Sequence, residues 1–236
     1  MATTVRPIWG SRHREAKPPT LRTQVKSRFE AIYTAALADV LDARGCHDQT
    51  LPPAIRPLTT GLRLAGPAYT VQGRPAEAVD YDKALRKVLR MLGEVPDGHV
   101  AVYACAQDVS AHLGELSVTS LKARGVVGCV LDGGCRDIRF ILDEGFPVFS
   151  RFVTPEDSTW RWELEATQVP VTIGRVRIEP GDWIVGDDDG VVVVPHAIAE
   201  SVLAEAETKA ATESEIRAAV RDGVSPLEAF EQYGTF

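Results

Sequence analysis

The sequence predicts a mixed α/β domain, on three observations. Apolar residues recur at three- and four-residue spacing in several stretches, as amphipathic helices require. A continuous apolar run at 126–131 has the character of a strand buried on both faces. Helical and extended stretches alternate through the centre, then give way to short β segments split by glycines. At 236 residues, with 44% hydrophobic and 25% charged, the chain can build one sizeable core and lacks the composition of a disordered protein.

Each element has its own signal. Residues 1–27 read as a basic arm, because Arg6, Arg12, Arg14, Lys17, Arg22 and Lys26 lie in a Pro-rich stretch with little periodicity. The folded domain is expected over 28–236. From Arg28 onward, Phe29, Ile32, Tyr33, Ala36, Leu37, Val40 and Leu41 mark one helix that Gly45 stops. Leu51-Pro52-Pro53 marks a loop, and 62–71 alternates as a strand with Gly66-Pro67 as a bulge or bend. A helix over 81–92 ends at Gly93, a strand covers 99–104, and a helix over 114–124 is closed by Gly125. After the apolar strand come a loop at 132–137, a helix over about 138–144 and a strand over 147–152. Residues 169–194 hold three short β segments, the last preceded by a turn at Asp187-Asp188-Asp189-Gly190. A long Ala/Glu-rich helix then runs from about 196 to 220, with Gly223 as its stop.

Composition also narrows function. A net charge of −7 argues against a nucleic-acid partner, since phosphate contact needs a basic surface. No stretch approaches the roughly 20 apolar residues of a membrane span, and residues 1–14 lack the apolar run of a secretion signal, so a cytoplasmic protein is expected. Cys46, Cys105, Cys129 and Cys135 form no CxxC pair and read as reduced, buried thiols. The tryptophans Trp160, Trp162 and Trp183 read as core or interface packing.

The chemistry concentrates in two junctions where a strand gives way to a helix, the usual mouth of an α/β site. The first is His112-Leu113-Gly114-Glu115-Leu116. Gly114 lets the backbone approach a ligand, and the amides of Gly114, Glu115 and Leu116 at a helix start could hold a substrate carboxylate. The second is Asp132-Gly133-Gly134-Cys135-Arg136-Asp137, where the glycines allow a tight turn. Arg136 offers a planar cationic fork for a carboxylate or a developing oxyanion. Asp137 is a hard oxygen ligand suited to magnesium or manganese.

Order and spacing give these residues more meaning than each has alone. Twenty residues separate Glu115 from Arg136-Asp137, and the segments around them include Gly145-Phe146-Pro147, Pro180-Gly181-Asp182 and Asp187-Asp188-Asp189-Gly190. Over roughly 28–236 the chain resembles the RraA-like family, which includes class II 4-hydroxy-4-methyl-2-oxoglutarate and 4-carboxy-4-hydroxy-2-oxoadipate aldolases, oxaloacetate decarboxylases and the regulator of RNase E. The resemblance implies a β/β/α swivelling-domain sandwich assembled as a homo-trimer or hexamer. It implies a divalent metal (Mg or Mn) on Asp137, a small 2-oxo acid substrate held by Gly114, Glu115, Leu116 and Arg136, and catalytic roles for Arg136 and Glu115. The expected reaction yields pyruvate, by retro-aldol cleavage or by oxaloacetate decarboxylation. Glu213 on the C-terminal helix is a candidate to reach a neighbour's site, against a surface pairing with Arg217. One departure stands out. Where the aldolase branch carries an acid three residues after the metal Asp, this chain has Phe140. That places decarboxylation beside aldol cleavage, and a non-catalytic regulator of RNase E as the alternative.

Overall fold

The computed structural model describes residues 21–77, 79–106 and 109–236. Helices α1 (Leu21–Ala31) and α2 (Thr34–Ala43) precede strands β1 (Arg56–Pro57) and β2 (Leu64–Pro75). Then come α3 (Tyr81–Glu94), β3 (Val100–Ala104), β4 (Ala111–Leu113), α4 (Glu115–Ala123), β5 (Gly128–Cys135), α5 (Ile138–Glu144) and β6 (Val148–Val153). Strands β7 (Trp162–Thr167), β8 (Val171–Ile173), β9 (Val176–Ile178), β10 (Trp183–Asp187) and β11 (Gly190–Val194) lead into α6 (Ala199–Arg221) and α7 (Pro226–Tyr233).

Among the described residues nine strands form one sheet, in the order β1-β6-β5-β3-β2-β10-β11, with β4 beside β5 and β7 beside β2. Strands β2, β3, β5 and β6 run parallel, as helical crossovers require. The period-2 alternation of strand side chains separates three cores. Ala101, Tyr103, Cys129 and Leu131 face α3, α4 and α5. Val100, Val102, Val130 and Phe149 point the other way, onto the β8–β9 hairpin and Ile184, Val191 and Val193. The opposite face of β10–β11, carrying Trp183, Val185, Val192 and Val194, is covered by α1, α2 and α6. The expected β/β/α sandwich is present, with a second helical layer outside it.

Several local expectations change. The helix expected from Arg28 to Leu41 is two helices, broken at Ile32-Tyr33. The first begins at Leu21, inside the stretch read as an arm, and Val25 is buried in the α1/α2/α6 core. Residues 1–20 of that arm lie outside the described residues. Gly66-Pro67 does not bend β2. The strand runs through it, because a Cβ at Gly66 would meet the Gly98 carbonyl at 2.8 Å, so the glycine serves close packing. The irregularity in β2 lies at Gln72/Gly73, where the Trp162 indole occupies the space a Gly73 side chain would need. Residues 132–135, read as a loop, are the end of β5; 169–194 hold four strands, β8 to β11, rather than three; and strands β1, β4 and β7 and helix α7 had not been expected.

The acidic turn is a brace as well as a turn. Asp187 accepts from the Thr34 amide at 2.8 Å and its hydroxyl at 2.7 Å, capping α2, whose own N-cap residue Tyr33 makes no side-chain cap. Asp187→Ala should therefore cost about 1–2 kcal/mol, the usual scale for a lost N-cap. An equilibrium urea titration would show it as a lower midpoint with an unchanged slope.

Candidate active site

The two strand–helix junctions meet side by side, because β4 pairs with the end of β5: Ala111 lies opposite Gly134 and Leu113 opposite Cys135. The Arg136 amide donates to the Leu113 carbonyl at 3.0 Å, which locks the second junction to the first. At the start of α4 the amides of 115–117 have no acceptor within the helix. The Glu115 amide donates instead to Asp137 Oδ2 at 3.0 Å, so that amide is committed to the protein's own carboxylate rather than left for a substrate.

Gly114 is what allows this approach. A Cβ there would lie 2.5 Å from Asp137 Oδ2 and 3.2 Å from Arg136 Nε. Asp137 itself has φ 60° and ψ 34°, the left-handed region, which Asp tolerates better than most side chains. Its carboxylate stays part-exposed, 3.8 Å from Arg136 Nε. Glycines 133 and 134 are not turn residues but packing residues. A side chain at Gly133 would strike His112 Nδ1 and Cys105 Sγ, and one at Gly134 would strike Phe152.

Arg136 stands between two clefts. On one side, with Asp137, Cys135 and Thr154, it borders a shallow groove of about 350 Å³. On the other it lines a deeper cavity of about 430 Å³ together with Gly114, Leu116, His112 and Asp157. Its Nη1 meets Asp157 Oδ2 at 3.0 Å. Asp157 is held in place by backbone pairing of 156–158 with Ala111, and it accepts from the Thr159 amide and hydroxyl at 2.9 and 2.8 Å. Burial alone would raise the Asp157 pKa, but the Thr159 bonds and the Arg136 guanidinium outweigh it and hold the group below the usual carboxylate range. Asp157 is a site residue that could not be singled out from the sequence. Its Asp-Ser-Thr turn is visible in the sequence, but nothing there puts it beside Arg136.

His112 lies nearly buried in the same cavity, edge-on to the Trp162 ring at 5.0 Å, while Trp162 Nε1 donates to the Cys105 carbonyl. Burial, only partly opposed by Asp157, pushes its pKa down to about 4. His112 is thus neutral at pH 7. The unfolded chain, with an ordinary histidine near 6.5, takes up protons first, so stability falls as pH drops from about 6.5 to about 4, by roughly 3 kcal/mol on the linkage scale. Urea midpoints across that range should show this slope, and His112→Gln should lose most of it.

Glu115 accepts from the Thr119 hydroxyl at 3.3 Å, on the exposed face of α4. Leu116 and Phe140 are exposed, with relative accessibilities of 79% and 61%, and Phe140 follows the Arg136–Asp137 pair on α5. Glu213 accepts from the Tyr33 hydroxyl and pairs with Lys209 at 3.3 Å, on the α2/α6 side of the molecule. Cys105, Cys129 and Cys135 are buried, Cys46 is half-buried, and all four thiols are free. Burial pushes Cys135 up to about 12 and Cys105 and Cys129 well above their ordinary range, so none of these three buried thiols is a thiolate at neutral pH. Trp183 stacks on Phe29 at 4.8 Å, as core packing, and Trp160 stacks on Tyr81 at 5.1 Å. Among the described residues no helix is long and apolar enough to cross a membrane.

The RraA-like profile, described as Aldolase/RraA, matches residues 34–193. The chain belongs to the Aldolase/RraA family. A Halalkalibacterium halodurans protein named "Putative 4-hydroxy-4-methyl-2-oxoglutarate aldolase" is 33% identical over 205 residues, covering 86% of this chain and 92% of that protein. The crystal structure of an uncharacterised Pseudomonas syringae protein superposes with TM-score 0.76 at 33% identity, over 87% of this chain and 96% of the other. Streptomyces coelicolor RraAS2, described as an unusual member of the RNase ES inhibitor RraA family, gives TM-score 0.74 at 30% identity, over 86% and 99% of the two chains. The aldolase name supports a lyase of the RraA family.

Proposed function

We propose that this RraA-family chain is a divalent-metal-dependent carbon–carbon lyase that releases pyruvate from a 2-oxo acid. The observation that carries the reading is the close packing of Arg136 and Asp137 on the side-chain-free Gly114, with Asp137 on the shallow groove and Arg136 between that groove and the deeper cavity. The donor set fits a hydrated magnesium or manganese ion. Asp137 offers hard carboxylate oxygens, only one of which takes the Glu115 amide, and it is exposed enough for water to complete a coordination shell. When bound, the ion supplies Lewis-acid stabilisation of enolate charge.

The chain's own groups do the rest. The Leu116 amide at the α4 start orients the 2-oxo acid, and Glu115 orders water beside Asp137. The Arg136 fork holds the oxygen or carboxylate at the bond that breaks, with its plane set by Asp157. Retro-aldol cleavage and oxaloacetate decarboxylation share this arrangement, since both leave the electron pair on C3 of pyruvate. Phe140 supplies no acid to α5, which keeps both reactions within reach of the site.

A coupled pyruvate assay with magnesium or manganese tests this, using oxaloacetate, 4-hydroxy-4-methyl-2-oxoglutarate and a metal-only blank. Activity should vanish with excess chelator while the circular dichroism spectrum stays unchanged, because a single exposed carboxylate is not a structural metal cage. Turnover that persists in chelator, or a pyruvate adduct trapped by borohydride, would exclude the metal reading in favour of a lysine Schiff base.

A further inference from the structure

We propose that the favoured substrates are 4-hydroxy-2-oxo acids with an apolar alkyl or aryl group on C4, rather than a second carboxylate. This rests on the retro-aldol reading above and narrows it to a substrate class.

The observation is the make-up of the cavity beyond Arg136. Its far wall is built by Leu85, Val88, Met91 and Leu92 of α3, facing Tyr103 and Leu164. At about 430 Å³ the cavity is far larger than the pyruvate moiety needs, so it has room for a chain of several carbons. Among the described residues that line it, Arg136 is the one permanent cation, and it already faces Asp157 at 3.0 Å. Burial keeps His112 neutral. Lys87, between the wall residues in sequence, turns away and pairs with Glu163 at 2.9 Å, outside the lining.

With Arg136 engaged by the C4 oxygen and by Asp157, the second carboxylate of a diacid would find no further cation among the described lining residues and would lie between the negative Asp157 and the hydrocarbon of the α3 wall. An alkyl or phenyl group meets the surface it prefers. The chemistry balances without a further reagent. The C3–C4 bond breaks and its electron pair enters the C2–C3 enolate. The C4 hydroxyl gives its proton to water and becomes a carbonyl, and C3 takes a proton from water. The products are pyruvate and an apolar aldehyde or ketone.

The test compares initial rates of bond cleavage by the full chain with magnesium, on 4-hydroxy-2-oxononanoate, its shorter homologues and 4-hydroxy-4-methyl-2-oxoglutarate. The apolar nine-carbon acid should exceed the diacid at least tenfold in kcat/KM. Along the homologous series kcat/KM should rise by up to about fourfold per added methylene until the cavity is filled. Val88→Arg, which places a cation on the far wall, should shift the ratio at least tenfold toward the diacid. Leu85→Lys offers the same change at a second position should the first variant misfold. A wild-type preference for the diacid, or a flat chain-length series, would overturn the inference while leaving the lyase reading intact. No cleavage of any of these acids above the metal blank would defeat the retro-aldol reading, and the inference with it.

Discussion

Replacing Arg136 with alanine should lower kcat/KM about 100-fold or more, the scale of losing one preorganised electrostatic group. Arg136 is the cation shared by both clefts and is aimed by Asp157 at 3.0 Å, so its loss removes the fork that holds the reacting oxygen or carboxylate. Arg136→Lys should also be poor, because an ammonium on a flexible stem reproduces neither the planar fork nor its alignment. Both variants should melt near the wild-type temperature, since the side chain is part-exposed and surface ion pairs add little stability. Steady-state pyruvate release alongside thermal melts separates lost chemistry from lost fold. A folded Arg136→Ala chain with wild-type kcat/KM would exclude the role assigned here.

The second large effect needs no charged residue to change. Gly114→Ala should lower kcat/KM by about 100-fold, because displacement of reacting groups by about 1 Å has that scale of cost. The added methyl would sit 2.5 Å from Asp137 Oδ2, so the carboxylate, the Glu115 amide bond and the neighbouring Arg136 stem must all give way. Backbone strain does not enter, since Gly114 has φ −138°, an extended conformation open to alanine. Stability should change by no more than about 1 kcal/mol, the range of an altered N-cap. Pyruvate release and a urea titration on the same preparation measure both quantities. Full activity in this variant would mean that the closeness of Gly114 to Asp137 is incidental.

Much of this arrangement is legible in the sequence, and the limits have physical causes. The helix starting at Gly114, the apolar strand near 126–131, the helix after Asp137 and the long C-terminal helix follow from periodicity and glycine stops, which are local signals. Gly133 and Gly134 show where local reasoning fails. A glycine pair reads equally as a turn or as close packing, and only the neighbours His112, Cys105 and Phe152 decide for packing. The break between α1 and α2 has a similar cause. Asp187, more than 150 residues away, caps α2 in place of a local residue, so the sequence carries no adjacent cap signal there. Arg136, Asp137 and Gly114 could be singled out because their order and spacing, more than their types alone, resemble those of the RraA-like family. Asp157 and the α3 wall could not, since they reach the site only through the pairing of 156–158 with Ala111 and the packing of α3 on the sheet.

The central claim is that Asp137 is a functional carboxylate at a metal-dependent lyase site, and Asp137→Asn tests it most directly. Asparagine tolerates the left-handed backbone at this position and can still accept from the Glu115 amide, so the fold and local geometry are kept while the anionic oxygens are lost. The measurement is pyruvate release from oxaloacetate and from 4-hydroxy-2-oxo acids at fixed magnesium, set against a metal-only blank. Wild-type chain should run well above the blank, and folded Asp137→Asn should fall at least about 100-fold toward it. Wild-type rates in the variant, or wild-type chain no faster than the blank, would contradict the account.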